Sequence, residues 1–443
     1  MKWLARLVSV LTVVSATSAF AAGYDTPMLY SASHMGMGGT AIGSVDDPSA
    51  IFHNPAGLSR SGVGALHLDV SPLGGVIQGS PDKDALSIKS NTAISPFFMA
   101  AGSYRVVDRV HVGFAAYLLG GAAGSYNYNI DKTKANGDLN RTSVVDSASL
   151  GFIEFAPAVS VRIIDGLSLG VAWRPLFTTF DRNRVNTLSA NTTPDPQTFI
   201  DMKMKGWNFT GFRIGLQYAI GKFLFGAVYR NKVTTTVAAD KIVYAGVDFP
   251  NATYQFILPS KLGFGVQWSG VENLRLAADF EYIFNSENTT VNLIGEQGGV
   301  AKPIMNTSNW TDSYTIRVGG GYKIAKPLEL RAGYIFDAAA ANPMYPTAFG
   351  SPPGPTNIVT AGAGYEFTPS FDMSFAMAYR HGTGSTSEVD DKCPFCGKTG
   401  DYAITLIGAY LDARFRFGVV DKAKVLHDEA PVAAPEAASP AAE

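Results

Sequence analysis

The stretch LRLAADFEYIF, residues 274–284, alternates apolar and polar side chains along most of its length. Leucine, alanine and aromatic residues share one face of an extended chain, whereas Arg275, Asp279 and Glu281 share the other. Strands of soluble proteins are usually about 5–6 residues long, and a tilted strand that crosses a bilayer needs about 9–11 residues. The stretch therefore predicts a membrane-spanning β-strand, with its apolar face toward lipid and its charges toward a lumen.

The same alternation recurs in residues 261–268, 314–323, 328–337 and 411–417. In a soluble β-sandwich the apolar faces would pack against a second sheet, whereas in a membrane barrel they would face lipid. Tryptophans near the ends of predicted strands favour the barrel, because such barrels carry aromatic girdles at both interfaces. These tryptophans are Trp173, Trp207, Trp268 and Trp310.

Composition supports a barrel in an outer membrane. The chain has 46 Gly, 27 Phe and 19 Tyr but only 16% charged residues, and after the N-terminus it has no run of about 18 apolar residues. A large soluble β-sandwich or propeller in the periplasm is the alternative that composition leaves open. The net charge of −2 argues against a nucleic-acid partner, which would need a basic face.

Both ends of the chain differ in character from the strand-rich region. Residues 1–21 are predicted to be a signal peptide, because Lys2 and Arg6 precede a short apolar run and Ala21 ends a small-residue cleavage site. Residues 418–443 are Ala/Pro-rich and polar, which predicts a disordered periplasmic tail.

The links between the predicted strands alternate in length, which is typical of short periplasmic turns and long extracellular loops. Counting strands between them predicts an all-β protein, a transmembrane antiparallel β-barrel of about fourteen strands spanning residues 61–417. The links expected to be long fall near residues 73–93, 120–147, 181–203, 237–253, 286–309, 339–356 and 382–400.

The Gly-rich stretch Gly36–Arg60 cannot be a membrane strand, because glycine weakens ladder pairing and proline removes a donor. It contains the motif Asn54-Pro55-Ala56-Gly57 and resembles the N-terminal hatch of the FadL/TodX-type outer-membrane hydrophobic-compound transport family. Further stretches resemble the same family, so that the resemblance covers about residues 24–417. They are Ser95-Pro96-Phe97, Leu258-Pro259-Ser260-Lys261, Trp310-Thr311-Asp312-Ser313-Tyr314 and Arg331-Ala332-Gly333-Tyr334.

The resemblance implies a fourteen-stranded barrel whose lumen holds residues 22–60 as a hatch, in the outer membrane of a Gram-negative bacterium. It implies passive uptake of hydrophobic compounds through an interior apolar pocket and a hatch-gated lateral opening. Long-chain fatty acids are the expected substrate, and aromatic hydrocarbons, which members of the family also carry, are the alternative. The expected partners are a long-chain fatty acid or another hydrophobic small molecule, outer-membrane lipid and lipopolysaccharide, and the barrel-assembly machinery. The protein is expected to be a monomer without a cofactor. The C-terminal end of the chain departs from the family pattern. Such barrels normally stop at a terminal aromatic residue, whereas 26 residues follow Phe417 here.

The family's lateral opening lies at a kink in the third strand, beside the Asn-Pro-Ala of the hatch. In this chain the run Leu118-Leu119-Gly120-Gly121 is the candidate for that kink, because glycine permits a bulge or bend. Asn54-Pro55-Ala56 is expected to pack beside these glycines. The alternative is that the glycines only begin an extracellular loop.

The last predicted strand suggests a ligand pocket. Ile404, Leu406 and Tyr410 are expected to point inward above the charged residues Asp412, Arg414 and Arg416, giving an apolar upper lumen. The alternative is that the three residues pack against the hatch or a loop.

Cys393 and Cys396 are the only cysteines and lie in a predicted extracellular loop. A local disulfide is expected in an exported protein, and a reduced or metal-binding pair and catalytic redox chemistry are the alternatives. No metal site is predicted. No nucleophile elbow occurs at a strand-to-helix turn, and the protein is not expected to be an enzyme.

Three functions therefore remain open to test. The first is passive transport of fatty acids or other hydrophobic compounds. The second is a porin for polar solutes, which a continuous water-filled conductance would favour. The third is a non-transport barrel, either an adhesin or an outer-membrane lipid enzyme.

Overall fold

A computed structural model describes residues 27–28, 30–133, 139–188, 195–350, 352–390, 393 and 396–418. The predicted signal peptide and nearly all of the predicted tail lie outside the described residues. Within the described part of the chain, no helix is long and apolar enough to cross a membrane.

Fourteen antiparallel strands form a closed barrel, which confirms the predicted fold class. The barrel closes where the first strand pairs with the last, from Gly64 opposite Phe417 onward. The strands are β1 Gly64–Gly79, β2 Ala93–Val107, β3 Val110–Thr133, β4 Leu139–Ile164, β5 Leu167–Trp173 with Leu176–Leu188, β6 Asp195–Asn208 with Phe212–Ile220, β7 Phe223–Arg230 with Val233–Tyr244, β8 Val247–Leu258 with Lys261–Val271, β9 Leu274–Ile283 with Thr290–Gln297, β10 Val300–Thr307 with Ser313–Ala325, β11 Leu328–Asp337, β12 Thr356–Thr368, β13 Phe371–Thr386 and β14 Gly400–Phe417. A two-residue strand, Ile88–Lys89, also pairs with β1.

The alternation read from the sequence becomes the two faces of the barrel wall. On β1, Leu66, Leu68 and Val70 are exposed on the outer face, whereas His67 and Asp69 between them are buried on the inner face. Successive side chains of a strand point to opposite faces, so an apolar outside and a polar inside follow from a period of two.

Several expected long loops are strands instead. Residues 237–253 and 286–309 were expected to be loops, but they lie mainly in hairpins that turn at Ala245-Gly246 and Gly298-Gly299. All four turn residues have positive φ, between 52° and 76°, which suits a two-residue hairpin turn. Most of 120–147 and 181–203 is also strand. Polar strands extend the wall because ladder pairing does not require an apolar face outside the membrane.

Six consecutive strands, β5 to β10, are interrupted between their two parts. Pro175 and Pro259 lie at two of these interruptions and cannot donate to the ladder. The long connections that remain without strands among the described residues are 338–350 with 352–355, and the loop that holds the two cysteines.

The N-terminal segment, residues 27–28 and 30–63, lies inside the barrel and contains the short helices Ala32–Met35 and Ala50–His53 and the 3₁₀ helix Pro55–Arg60. Its contacts reach strands on every side of the barrel. Glycines allow this close fit, because a Cβ added to Gly319 would lie 2.0 Å from the Met37 carbonyl oxygen. Backbone of the segment therefore lies directly against backbone of the wall.

Candidate functional site

Asn54 anchors the N-terminal segment to β6 and β7. Its side-chain amide donates to the carbonyls of Ile42 at 2.8 Å and Leu216 at 3.0 Å, and its oxygen accepts from the Ala56 amide at 3.2 Å. A Cβ added to Gly215 would lie 1.9 Å from that oxygen, so glycine in β6 is what admits Asn54. The prediction that Asn54-Pro55-Ala56 packs beside the glycines of the third strand is therefore wrong.

The residues predicted to form a kink, Leu118 to Gly121, contain a β-bulge in β3. In the ladder with β4, Leu118 pairs with Ile153 and Gly120 pairs with Phe152, so Leu119 is an extra residue in β3. A bulge of this kind bends its strand. The alternative reading, in which the glycines begin a loop, is wrong because β3 continues to Thr133.

A gap in hydrogen bonding separates β2 from β3 above this level. The β2–β3 ladder ends at Met99 opposite Tyr117, although β2 still pairs with β1 up to Ala93 and β3 still pairs with β4. Near the extracellular end, the Asn91 amide donates to the Ser125 carbonyl at 2.8 Å and bridges the two strands again. We call this interval, residues 93–98 opposite 118–124, the wall gap.

Tyr30 of the N-terminal segment lies behind the wall gap. Its hydroxyl donates to the Leu118 carbonyl at 2.9 Å, and its ring packs 5.5 Å from the ring of Phe52 and 6.4 Å from that of Phe97. Tyr30 thus satisfies a carbonyl at the edge of the broken ladder. A tyrosine in an irregular segment gives no periodic signal, which is why sequence reasoning missed it.

A central cavity of about 60 Å³ lies next to this aromatic cluster. Phe52 and Leu119 contribute an apolar side, and charged residues of β6 to β10 contribute the other. Four of the lining side chains are basic and two are acidic. They are Arg213, Arg230, Lys261, Arg317, Asp279 and Glu281.

His53 also lines the central cavity. Burial lowers the pKa of His53 well below its usual value, so the imidazole is neutral and adds no charge. Arg213 links the cavity to the N-terminal segment, because its guanidinium donates to the Ile51 carbonyl at 2.6 Å.

An extracellular pocket of about 170 Å³ lies higher in the barrel. Its lining is mainly apolar and aromatic, and the described residues of the loop around Phe349 contribute to it. Apolar residues that line it include Leu150, Phe180, Met202, Phe256, Leu293 and Phe349.

The predicted pocket residues of β14 do not line this extracellular pocket. Ile404, Leu406 and Tyr410 are buried in the apolar core instead, and the Tyr410 hydroxyl donates to the Met28 carbonyl at 3.1 Å. Tyr410 therefore packs against the N-terminal segment, which was the alternative stated for these residues. Met28, near the start of the described segment, therefore lies against β14.

Cys393 and Cys396 form a disulfide in the structure, with their Cα atoms 5.4 Å apart. Both residues lie at the extracellular pocket. The pair joins residues only three positions apart, so it stiffens one loop rather than tying two elements together.

A sequence model of the outer membrane protein transport family (OMPP1/FadL/TodX) matches residues 12–417. The chain belongs to this family. It is therefore an outer-membrane protein that transports hydrophobic compounds, and the resemblance read from its motifs is confirmed.

Relatives of this FadL/TodX-family protein are distant in sequence. The Neisseria meningitidis serogroup B protein NMB0088 is 23% identical over 457 residues, which cover 91% of this chain and 97% of that one. Outer membrane protein P1 of Haemophilus influenzae is 22% identical over 254 residues, which cover 50% of this chain and 54% of that one.

Solved structures share the fold of this FadL/TodX-family protein. A Pseudomonas aeruginosa FadL homologue has a TM-score of 0.69 at 16% identity, covering 89% of this chain and 99% of that chain. The Ralstonia pickettii toluene transporter TbuX has a TM-score of 0.64 at 18% identity, covering 88% of this chain and 99% of that chain.

Proposed function

We propose that this FadL/TodX-family protein takes up long-chain fatty acids passively and releases them sideways through the wall gap. The observation that carries the proposal is the position of Leu119. Leu119 is at once the bulged residue on the β3 edge of the gap and a lining residue of the central cavity.

The extracellular pocket suits the hydrocarbon part of such a ligand. Its aromatic and aliphatic lining offers contacts to an acyl chain, and burial of each methylene group contributes about 0.8 kcal/mol. The volume of about 170 Å³ limits how much of the chain it can hold, so part of a long ligand would lie outside it.

The central cavity suits the head group. Four basic side chains against two acidic ones favour an anion, and the neutral His53 leaves that balance unchanged. One of the acids, Glu281, already pairs with both Arg317 and Lys261. Arg213 pairs in turn with Glu154 at 3.6 Å, so a carboxylate that enters would join an existing network of ion pairs.

The N-terminal segment acts as the gate in this proposal. Tyr30 and Phe52 stand between the lumen and the wall gap, and Tyr30 is held to β3 by one hydrogen bond to Leu118. A passive carrier has only the binding energy of its ligand to move these rings. A ligand that binds more tightly when the Tyr30 and Phe52 rings are displaced would therefore favour the displaced arrangement.

A monoaromatic hydrocarbon is the second candidate ligand. Similar structures include the toluene transporters TbuX and TodX, and the extracellular pocket alone would suit such a compound. The excess of basic side chains in the central cavity favours a carboxylate instead.

Deletion of Leu119 tests the lateral exit. The residues before and after it would keep their β4 partners, so β3 would lose only its bulge. We expect a straight β3 to pair with β2 across the wall gap, and uptake of labelled oleate by whole cells to fall sharply. The substitution Leu119→Ala is the matched control, because it shortens the side chain and keeps the bulge.

The result is interpretable only if the variant assembles, which heat-modifiable gel mobility reports. Unchanged oleate uptake by an assembled deletion variant would place the exit elsewhere. A continuous conductance of the unaltered protein in planar bilayers would favour the porin alternative, and turnover of lipid or ligand-independent surface adhesion would favour a non-transport barrel.

A further inference from the structure

Three polar side chains from the first and the last strand of the barrel lie close together inside the lumen. His67 and Asp69 lie on β1, and Asp412 on β14 is the direct cross-strand partner of Asp69. One ligand atom from each of the three lies within 4.8 Å of the others. All three residues are at most 2% exposed. They form a compact group at the junction that closes the barrel.

The histidine in this group lacks an ordinary partner. Neither ring nitrogen of His67 has a hydrogen-bond partner among the residues that the structure describes. A buried imidazole usually forms at least one such bond, since leaving a buried polar group unpaired costs about 1–3 kcal/mol. The ring of His67 instead faces two carboxylates.

The carboxylates also lack basic partners. Neither Asp69 nor Asp412 forms an ion pair with a lysine or arginine in the described ranges. The nearby Arg414 pairs with Asp47 at 3.1 Å and Asp372 at 3.1 Å instead. Two facing buried carboxylates repel each other unless a cation or a proton lies between them.

Backbone amides hold the two carboxylates in place. The Ala32 amide donates to Asp69 at 3.2 Å, and the Ser33 and Ser374 amides donate to the two oxygens of Asp412 at 2.9 and 3.1 Å. Outer hydrogen bonds of this kind orient the ligands of metal sites.

We propose that His67, Asp69 and Asp412 bind one divalent transition-metal ion, for which Zn²⁺ is the best match. One imidazole nitrogen and two carboxylate oxygens make a three-ligand set that Zn²⁺ accepts, with a fourth position left for water. Ca²⁺ and Mg²⁺ prefer oxygen ligands only, so the histidine favours the transition metal.

This site is approached from the short-turn end of the barrel, although none of its three side chains lines the cavity there. A polar cavity of about 290 Å³ is lined by Ser33 and Ser374, whose amides contact Asp412, and it extends to Lys326 and Arg416 near the short turns. An ion could therefore arrive from the periplasmic side without crossing the apolar pocket.

The ion would join three parts of the molecule. It would bridge β1 to β14, and through Ala32 and Ser33 it would fix the start of the N-terminal segment to the same carboxylates. The site is structural in this proposal, and none of its three residues lines the central cavity.

The test is a zinc count on the full-length exported protein, purified in detergent, stripped with EDTA and reloaded with Zn²⁺ alone. We expect about one ion per chain, and near zero for His67→Gln and for Asp412→Asn. The control is His381→Gln, because His381 is an exposed histidine bonded to Thr405 and remote from both carboxylates. That variant should keep its ion.

Equal zinc in wild type and His67→Gln would overturn the proposal, as would the absence of bound zinc in reloaded wild type. Binding of Ca²⁺ or Mg²⁺ in preference to Zn²⁺ would overturn the choice of metal class. If the variants fail to assemble, anomalous diffraction at the zinc edge from wild-type crystals decides the matter. A peak between His67 and the two aspartates supports the site, and a peak elsewhere or none refutes it.

Discussion

At the scale of single residues, Asn54 and Tyr30 connect the N-terminal segment to different parts of the barrel wall. Asn54 bonds to carbonyls on its own segment and on β6 and β7, and glycine in the wall makes room for it. Tyr30 bonds to Leu118 at the wall gap. Asn54 thus holds the segment against the barrel wall, and Tyr30 lies at the wall gap, where we propose that the ligand leaves.

We expect Tyr30→Ala to speed the release of hydrophobic ligand, because it removes both the ring that blocks the wall gap and the hydroxyl bound to Leu118. Tyr30→Phe is the control, since it keeps the ring and loses one hydrogen bond worth about 1 kcal/mol. Initial rates of oleate uptake measure the difference. Equal rates for wild type and Tyr30→Ala would show that Tyr30 does not obstruct the path.

Lys261 tests the identity of the head group. Lys261→Met should reduce oleate uptake about tenfold, because a hydrogen bond to a charged group contributes about 1.5–3 kcal/mol, and it should leave toluene uptake nearly unchanged. Lys222→Met is the matched control, because Lys222 is exposed and bonds to the Gly270 carbonyl at a short turn. A parallel fall in both substrates would contradict recognition of a carboxylate in the central cavity.

At the scale of elements, the fit between the N-terminal segment and the strands depends on small residues. Gly319 on β10 faces the segment, and its neighbour Gly320 faces outward toward Leu276. These adjacent glycines therefore differ in what a larger side chain would meet.

We expect Gly319→Val to displace the N-terminal segment, because its Cβ would lie 2.0 Å from the Met37 carbonyl oxygen. The barrel itself should still assemble, since valine favours strands. Gly320→Val should behave as wild type, as its Cβ would meet the flexible end of Leu276 at 3.0 Å and the Arg275 carbonyl oxygen at 3.4 Å. Protease sensitivity of the segment and conductance in planar bilayers measure the displacement, and identical behaviour of the two variants would argue against this fit.

At the scale of the whole molecule, polarity changes along the barrel axis. The extracellular pocket is mainly apolar, the central cavity is mixed, and the cavity near the short turns is lined mostly by charged residues. This change in polarity supports the proposed route, in which a hydrophobic molecule avoids the charged lower cavity and leaves toward lipid at the wall gap. The cysteine loop lies at the outer end of this path.

We expect Cys393 and Cys396 to be bonded in the exported protein, because its compartment is oxidising and the chain has no other cysteine. Quantitative thiol labelling of unreduced, denatured protein should find no free thiol. Two free thiols per chain would contradict the pairing, and labelling after reduction is the positive control.

The sequence by itself determined the barrel, its strand number and its family. A period of two over long stretches is a local property, and motifs such as Asn54-Pro55-Ala56-Gly57 are read without knowing their neighbours. It also located the bulge near Leu119, because glycine next to an alternating run is a local signal.

Only the tertiary structure decided which residues meet inside the barrel. Asn54 lies beside β6 rather than β3, Tyr410 packs on Met28, and His67 meets Asp412 from the opposite end of the barrel sequence. These contacts depend on how an irregular segment is threaded through a closed ring of strands. Such a segment has no period, so each of its contacts is fixed by the space and the hydrogen-bonding groups that the wall presents.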